Sequence, residues 1–121
     1  MIRKAIVLTV LLLIIIACNP QNQPGGEIDV DVGAGTTPAY YWDGGVCSLT
    51  VARTSNLNRI VWGVTSGSKN NITSPYFQGE VKTGLTRIAN VESVLTDGVE
   101  YRVRVVRTDG AEGWNDFIPS M

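Results

Sequence analysis

The chain has 121 residues, enough for one domain, with 44% hydrophobic and 17% charged side chains and a formal net charge of -1. This charge and the lack of basic runs with interleaved aromatic residues argue against nucleic-acid binding. The sequence contains no histidine, which removes the commonest general base and the commonest transition-metal ligand. We therefore expect neither a bound metal nor a cofactor.

The N-terminus has the pattern of an export signal. Arg3 and Lys4 precede an apolar run, residues 5–17, that only Thr9 interrupts. A helix of about 13 residues is about 20 Å long, whereas a bilayer's hydrocarbon core is about 30 Å thick. A buried core helix is the alternative, but it would usually show a polar stripe, and this run has none. We expect residues 1–17 to be a cleavable signal peptide.

The apolar run ends in Ile15-Ile16-Ala17-Cys18, which resembles the lipobox of bacterial lipoproteins. The resemblance implies that the Cys18 sulfur carries diacylglycerol and that cleavage occurs before this cysteine. Loss of the two basic residues of the signal would then change the net charge from -1 to about -3. A plain secretory signal followed by a fortuitous cysteine is the alternative. With Asn19 next, the family's sorting rule favours the outer membrane in a host that has one. The expected location is the bacterial cell envelope.

A spacer is predicted to follow the lipidated cysteine. Residues 19–37 are rich in Pro, Gly, Asn and Gln, and they contain too few apolar side chains to offset the entropy of ordering. We expect residues 18–37 to form the lipidated cysteine and a flexible tether with a mean span of about 25 Å. The alternation at residues 28–32 would also allow a short strand. Asp29 and Asp31 alone supply too few oxygen ligands for a calcium loop.

The remaining residues, 38–121, show short alternating runs separated by turn residues, which is the pattern of β-strands. The predicted strands are residues 40–42, 46–53, 60–64, 76–77, 100–107 and 114–118, with a less clear segment at 85–94. No stretch of the predicted domain has a helical period. The sequence therefore predicts an all-β fold, an antiparallel seven-stranded β-sandwich.

One segment carries a family resemblance. Residues 95–105 read Leu-Thr-Asp-Gly-Val-Glu-Tyr-Arg-Val-Arg-Val and resemble the E–F corner of fibronectin type III domains. The resemblance implies a structural tyrosine corner formed by Tyr101, Leu95 and Gly98. In such a corner the ring packs under the turn and the hydroxyl group bonds to the backbone.

Other features match immunoglobulin domains instead. Trp62 lies on the third predicted strand, and the tryptophan usual on the second strand of fibronectin type III domains is absent. Cys47 occupies the place of the first immunoglobulin cysteine, and Val103 occupies that of the second, so no cross-sheet disulfide can form. The exact topology stays open, and Cys47 is expected to be a small buried hydrophobe.

No catalytic arrangement is evident, so we expect the protein not to be an enzyme. Without histidine, Ser–His and Cys–His pairs are impossible, and the carboxylates are scattered over turns and strand edges. Aromatic side chains are the better site candidates because exposed rings can stack on sugars or anchor a protein partner. The candidate binding aromatics are Tyr41, Tyr76, Phe77 and Trp114; alternatively, most of these rings fill the core. Arg102 and Arg104 are expected to be solvated.

These observations favour a membrane-anchored envelope lipoprotein that displays a non-catalytic binding or spacer module. The expected partners are the membrane, through the lipid anchor, and an envelope protein or glycan. Two alternatives stay open. A small envelope hydrolase would need two carboxylates in a cleft. An accessory or inhibitor subunit of an envelope enzyme cannot be distinguished from a binding module by sequence.

Overall fold

A computed structural model describes residues 24–121, so the predicted signal peptide and Cys18 lie outside the described residues. The described part contains β-strands and no helix. Accordingly, none of its elements is a helix able to cross a membrane. The strands are β1 (Pro24–Gly26), β2 (Asp31–Val32), β3 (Ala39–Tyr41), β4 (Ser48–Arg53), β5 (Ile60–Thr65), β6 (Tyr76–Phe77), β7 (Thr86–Asn90), β8 (Tyr101–Val106) and β9 (Glu112–Phe117).

The strands form two antiparallel sheets. The larger sheet has the order β1-β9-β8-β4-β5-β7, and the smaller has the order β2-β3-β6. One apolar core, to which both sheets contribute, includes Tyr40 and Tyr76 of the smaller sheet and Trp62, Tyr101 and Val103 of the larger. The fold is therefore all-β and β-sandwich-like.

Alternation along the strands explains which face is buried. In β8, Tyr101, Val103 and Val105 are fully buried, whereas the two arginines between them point away from the core. Successive side chains of a strand point to opposite faces, so this period of two directs every second residue inward. The prediction of an all-β fold is confirmed, but the count of seven strands is too low by β1 and β2.

The two additional strands lie within the predicted tether. β1 pairs with β9, and β2 pairs with β3. Between them, Ile28 and Val30 are buried in the core, and the amide side chain of Asn115 donates to the Val30 carbonyl over 2.7 Å. The predicted tether therefore extended too far along the chain. Composition was a poor guide because backbone hydrogen bonds hold much of this segment, and few of its side chains, chiefly Ile28 and Val30, enter the core.

The immunoglobulin-like placement of Cys47 is also wrong. The strand that the sequence analysis counted as second is β4, which pairs with β5 and β8 in the larger sheet. Cys47 donates its backbone N–H to the Val106 carbonyl over 2.8 Å, so Cys47 and Val103 belong to one sheet and do not face each other across the core. The Cys47 thiol is free and half-buried, less buried than expected.

The sandwich has two ends that differ in composition. We call the end formed by residues 33–37, 54–59, 91–99 and 118–120 the corner end, because it contains the turn that precedes Tyr101. The opposite end, residues 43–47, 66–71 and 107–111, is called the hairpin end. Pro24 lies opposite Asn115 in the antiparallel pair of β1 and β9. β1 therefore begins on the side of the corner end, where β9 finishes.

Candidate functional site

The turn before β8 is fastened by Tyr101. Its buried hydroxyl group accepts a hydrogen bond from the Thr96 backbone N–H over 2.8 Å and donates one to a Glu92 carboxylate oxygen over 2.7 Å. Leu95 is buried beside it in the core. Gly98 has a φ of 81°, a left-handed conformation that glycine adopts without steric cost, and its N–H donates to the Pro119 carbonyl. Tyr101, Leu95 and Gly98 thus lie together at one corner.

Glu92 is the centre of a charged network at this corner. Arg53 donates to both carboxylate oxygens, over 2.9 and 3.1 Å, and the Thr96 hydroxyl group donates over 2.9 Å. The hydrogen bond from Arg53 is the largest cause that lowers the pKa of Glu92 to about 2, and the Tyr101 and Thr96 hydroxyl groups lower it further. The carboxylate is therefore ionised at neutral pH and poorly suited to act as a general acid.

A cleft of about 540 Å³ opens beside this network. Its lining includes Arg53, Arg59 and Asn56, and Glu92 is the one carboxylate in it. Sequence reasoning did not select Glu92. The residue lies in an irregular loop, and its ionic partner, 39 positions away, comes close only through folding. No spacing motif in the sequence could have found this pair.

Two of the four candidate aromatics share an exposed face. Tyr41 of β3 is 46% exposed and Phe77 of β6 is 50% exposed. Phe77 lies opposite Ala39, two residues from Tyr41, so the two rings project from the same side of the smaller sheet as diagonal neighbours. Backbones at such positions are about 7–8 Å apart. Asp31 of β2 lies opposite Tyr41 on the same face. We call this surface the Tyr41–Phe77 face.

Tyr76 belongs to the core instead. It is fully buried, and its ring centroid lies 6.2 Å from that of Trp62. Its hydroxyl group donates to the Glu80 carbonyl over 2.8 Å and accepts from the Lys82 backbone N–H over 3.1 Å. Burial raises the pKa of this phenol. Tyr76 therefore supports the smaller sheet from inside and offers no ring to a ligand.

Trp114 lies on the outer face of the larger sheet, and its ring already has neighbours. The Arg102 guanidinium carbon lies 3.8 Å from the ring centroid, and Asp116 fixes that guanidinium with two hydrogen bonds of 2.7 and 3.0 Å. The ring also fills the space that a side chain at Gly25 would need, so it covers β1. These contacts indicate that Trp114 holds the first strand onto the sheet.

The two arginines of β8 are paired rather than merely solvated. Arg102 bonds Asp116 directly across from it, and Arg104 donates to Glu112 of β9 over 2.9 Å. The hydrogen bond from Arg104 is the largest cause that lowers the pKa of Glu112. These two ion pairs leave the outer face of the larger sheet close to electroneutral around Trp114.

Within residues 24–121 no group of three or more His, Cys, Asp or Glu side chains lies close enough together to hold a metal ion. Compared with known proteins, the chain matches no family model, no curated protein and no solved structure.

Proposed function

We propose that this protein is a lipid-anchored envelope protein that displays a non-catalytic, fibronectin type III-like sandwich as a binding module. The observation that carries the proposal is the Tyr41–Phe77 face, where two large aromatic rings are about half exposed on the smaller sheet. An aromatic side chain can bury about 150–250 Å² of surface. Because the two rings are only half buried in the domain, a partner could bury much of their remaining surface.

The anchor rests on residues 1–18. A positive start, an apolar run too short to span a bilayer and the terminal Ala17-Cys18 occur together and in the order that the lipobox resemblance requires. Lipid on Cys18 would hold the domain at the membrane surface of the cell envelope.

Two observations support the fibronectin-like assignment of the sandwich. In domains of this architecture the first, second and fifth strands share one sheet, and the third, sixth and seventh share the other. If β1, β5 and β7 are additions to that pattern, β2, β3 and β6 match the first group and β4, β8 and β9 match the second. The Tyr101 hydroxyl group also bonds backbone five residues upstream, as a tyrosine corner does.

A glycan is the ligand that suits the Tyr41–Phe77 face. Aromatic rings stack on the C–H faces of sugars, and carboxylates accept hydrogen bonds from sugar hydroxyl groups. Asp31 stands opposite Tyr41, and Glu80 accepts from the Phe77 backbone N–H over 3.4 Å, so each of the two aromatic residues has an acidic neighbour.

Cosedimentation of the mature protein with purified peptidoglycan tests the proposal. We expect Tyr41→Ala and Phe77→Ala each to weaken binding about tenfold or more, because each removes a stacking ring of the contact surface. Ile88→Ala is the matched control: this side chain is 42% exposed but belongs to β7 of the other sheet, and its removal should leave binding unchanged.

In-cell crosslinking of the lipidated protein, with mass spectrometry of glycan and protein adducts, extends the test beyond one polysaccharide. Adducts on the Tyr41–Phe77 face would support a binding module. Equal binding by all three variants, together with an absence of reproducible adducts on that face, would contradict the proposal and leave a spacer role.

A further inference from the structure

We propose that the corner end of the sandwich rests on the surface of the lipid bilayer that holds the Cys18 anchor. This inference rests on the proposed lipidation, and it adds an orientation and a second membrane contact made by the folded domain itself. Three features carry it: the short connection to the anchor, the side on which β1 begins, and the apolar loops on that side.

The connection is short. The first described strand begins at Pro24, and the five residues 19–23 separate it from Cys18 in the sequence. Six residue steps reach about 20 Å when fully extended. In any conformation of these residues, the distance between Pro24 and a lipidated Cys18 at the bilayer cannot exceed this length.

β1 begins on the side of the corner end. Pro24 pairs with Asn115 and Gly26 with Gly113, so β1 runs from the end of β9 toward its beginning. Trp114 covers Gly25, and the N–H groups of Glu27 and Ile28 donate to the Glu112 carbonyl over 2.7 and 3.1 Å. These contacts fasten the first strand to the sheet, and a short connection from Pro24 therefore turns the corner end toward the anchor.

Apolar side chains are exposed on three loops of this end. Val91 and Val94 are 56% and 59% exposed, and Leu57 and Ile118 are each 44% exposed. The loops of the hairpin end contain no exposed large hydrophobic side chain among the described residues; they present mainly Gly, Ser, Asn and Asp. Side chains of this kind gain free energy by leaving water for the headgroup and acyl boundary of a bilayer.

Charge at the corner end is balanced rather than basic. Arg53 and Glu92 neutralise each other, Arg59 is exposed, and Asp97 and Glu100 supply carboxylates nearby. Attraction to anionic lipids requires a surplus of Lys and Arg, which this end lacks. The contact is therefore apolar, and it should form on zwitterionic lipid and change little with salt.

Spin-label accessibility on the full lipidated protein tests this orientation. The protein is purified from cells, its lipid is verified by intact mass, and it is reconstituted into phosphatidylcholine vesicles. A Cys47→Ser background leaves no other free thiol in the lipidated chain. Nitroxides are then attached at Leu57→Cys and Val94→Cys of the corner end, with Lys69→Cys of the hairpin end as the matched control. Melting curves verify that each variant is folded.

Oxygen concentrates in lipid, whereas a nickel chelate stays in water. We expect the ratio of oxygen to nickel collisions to be several-fold higher at positions 57 and 94 than at position 69, with little change on adding anionic lipid or salt. Equal ratios at all three positions in a lipidated protein would overturn the orientation and leave the anchor intact.

Two further outcomes would also count against the proposal. Protection of positions 57 and 94 from both reagents would mean that a second copy or another protein covers the corner end. A chain without lipid, released from vesicles, would overturn both the orientation and the proposed anchor.

Discussion

The two ends of the sandwich close the same set of strands in different ways. At the corner end, the buried Tyr101 hydroxyl group and the ionised Glu92 join three segments of the chain. At the hairpin end, Asn70 exchanges two hydrogen bonds of 3.0 Å with Thr108, and Arg107 donates to the Asp43 and Gly45 carbonyls. The hydrogen bonds of Tyr101 and Arg53 in the first network are partly buried, whereas most of those in the second network are exposed.

Because the two networks differ in burial, we expect the corner end to contribute more to the free energy of unfolding than the hairpin end. An exposed hydrogen bond replaces a hydrogen bond to water, so it adds little to the free energy of unfolding. A buried donor that loses its partner destabilises the fold by the full free energy of its desolvation. Substitutions at the corner end should therefore unfold the domain more readily than equivalent substitutions at the hairpin end. The following variants test that contrast in order of decreasing expected effect.

The largest effect is expected for Leu95→Ala. Leu95 is 3% exposed beneath the corner, and truncation of a buried leucine costs about 2–5 kcal/mol of unfolding free energy through lost contacts and the cavity left behind. Leu57→Ala removes the same atoms from an exposed site and should cost less than about 0.5 kcal/mol. Urea denaturation of both variants makes the comparison, and equal losses would contradict the burial described for Leu95.

The next largest effect is expected for Tyr101→Phe. This change keeps the ring but removes the hydroxyl group, which leaves the Thr96 N–H without its acceptor and should cost about 1–3 kcal/mol. Tyr41→Phe is the control because its ring lies on the exposed face. An unaltered melting curve for Tyr101→Phe would show that the corner does not depend on this hydroxyl group.

Glu92→Gln tests the charged part of the network through pH. The pKa of Glu92 is lowered to about 2 in the folded protein, so its ionic contribution is complete above about pH 4.5 and is lost as the pH falls toward 2. We expect the contribution to be about 1–2 kcal/mol, reduced by solvent screening at the half-exposed Arg53. Thermal denaturation between pH 2 and 7 should show this loss in the wild-type protein and a flatter profile in Glu92→Gln. Parallel profiles would show that Glu92 is not held as described.

The smallest effect is expected at the hairpin end. Asn70→Ala removes both hydrogen bonds to Thr108, yet both groups are exposed to water, so the cost should be about 0.5 kcal/mol. A loss as large as that of Tyr101→Phe, measured in the same urea titration, would remove the contrast between the two ends.

Alternation made most of the strands predictable. Tyr101, Val103 and Val105 bury one face of β8 so regularly that the strand and its inward side could be read from the sequence. β1 could not be predicted in this way, because Pro24-Gly25-Gly26 has no apolar pattern. The neighbouring Trp114 and backbone pairing with β9 hold this strand in place. A ring from another strand, such as that of Trp114, can pack over a glycine-rich segment and order it. The composition of the segment itself does not indicate this contact.

The candidate site was predictable only in part, because exposure depends on register. Tyr76 and Phe77 are adjacent in sequence, and nothing local indicates that the first is buried and the second exposed. That assignment follows from the pairing of Tyr76 with Tyr40 on the core side of β3. The role of Glu92 likewise depends on Arg53, a contact that forms only when distant segments meet.

Intact-mass analysis of the protein extracted from cells is the direct test of whether this domain is displayed from a lipid on Cys18. We expect a chain that begins at Cys18 and carries the mass of an attached diacylglycerol, and we expect Cys18→Ala to accumulate as an unmodified, uncleaved precursor that leaves the detergent phase. An unlipidated wild-type chain, or processing and partitioning that are the same in Cys18→Ala, would contradict the account.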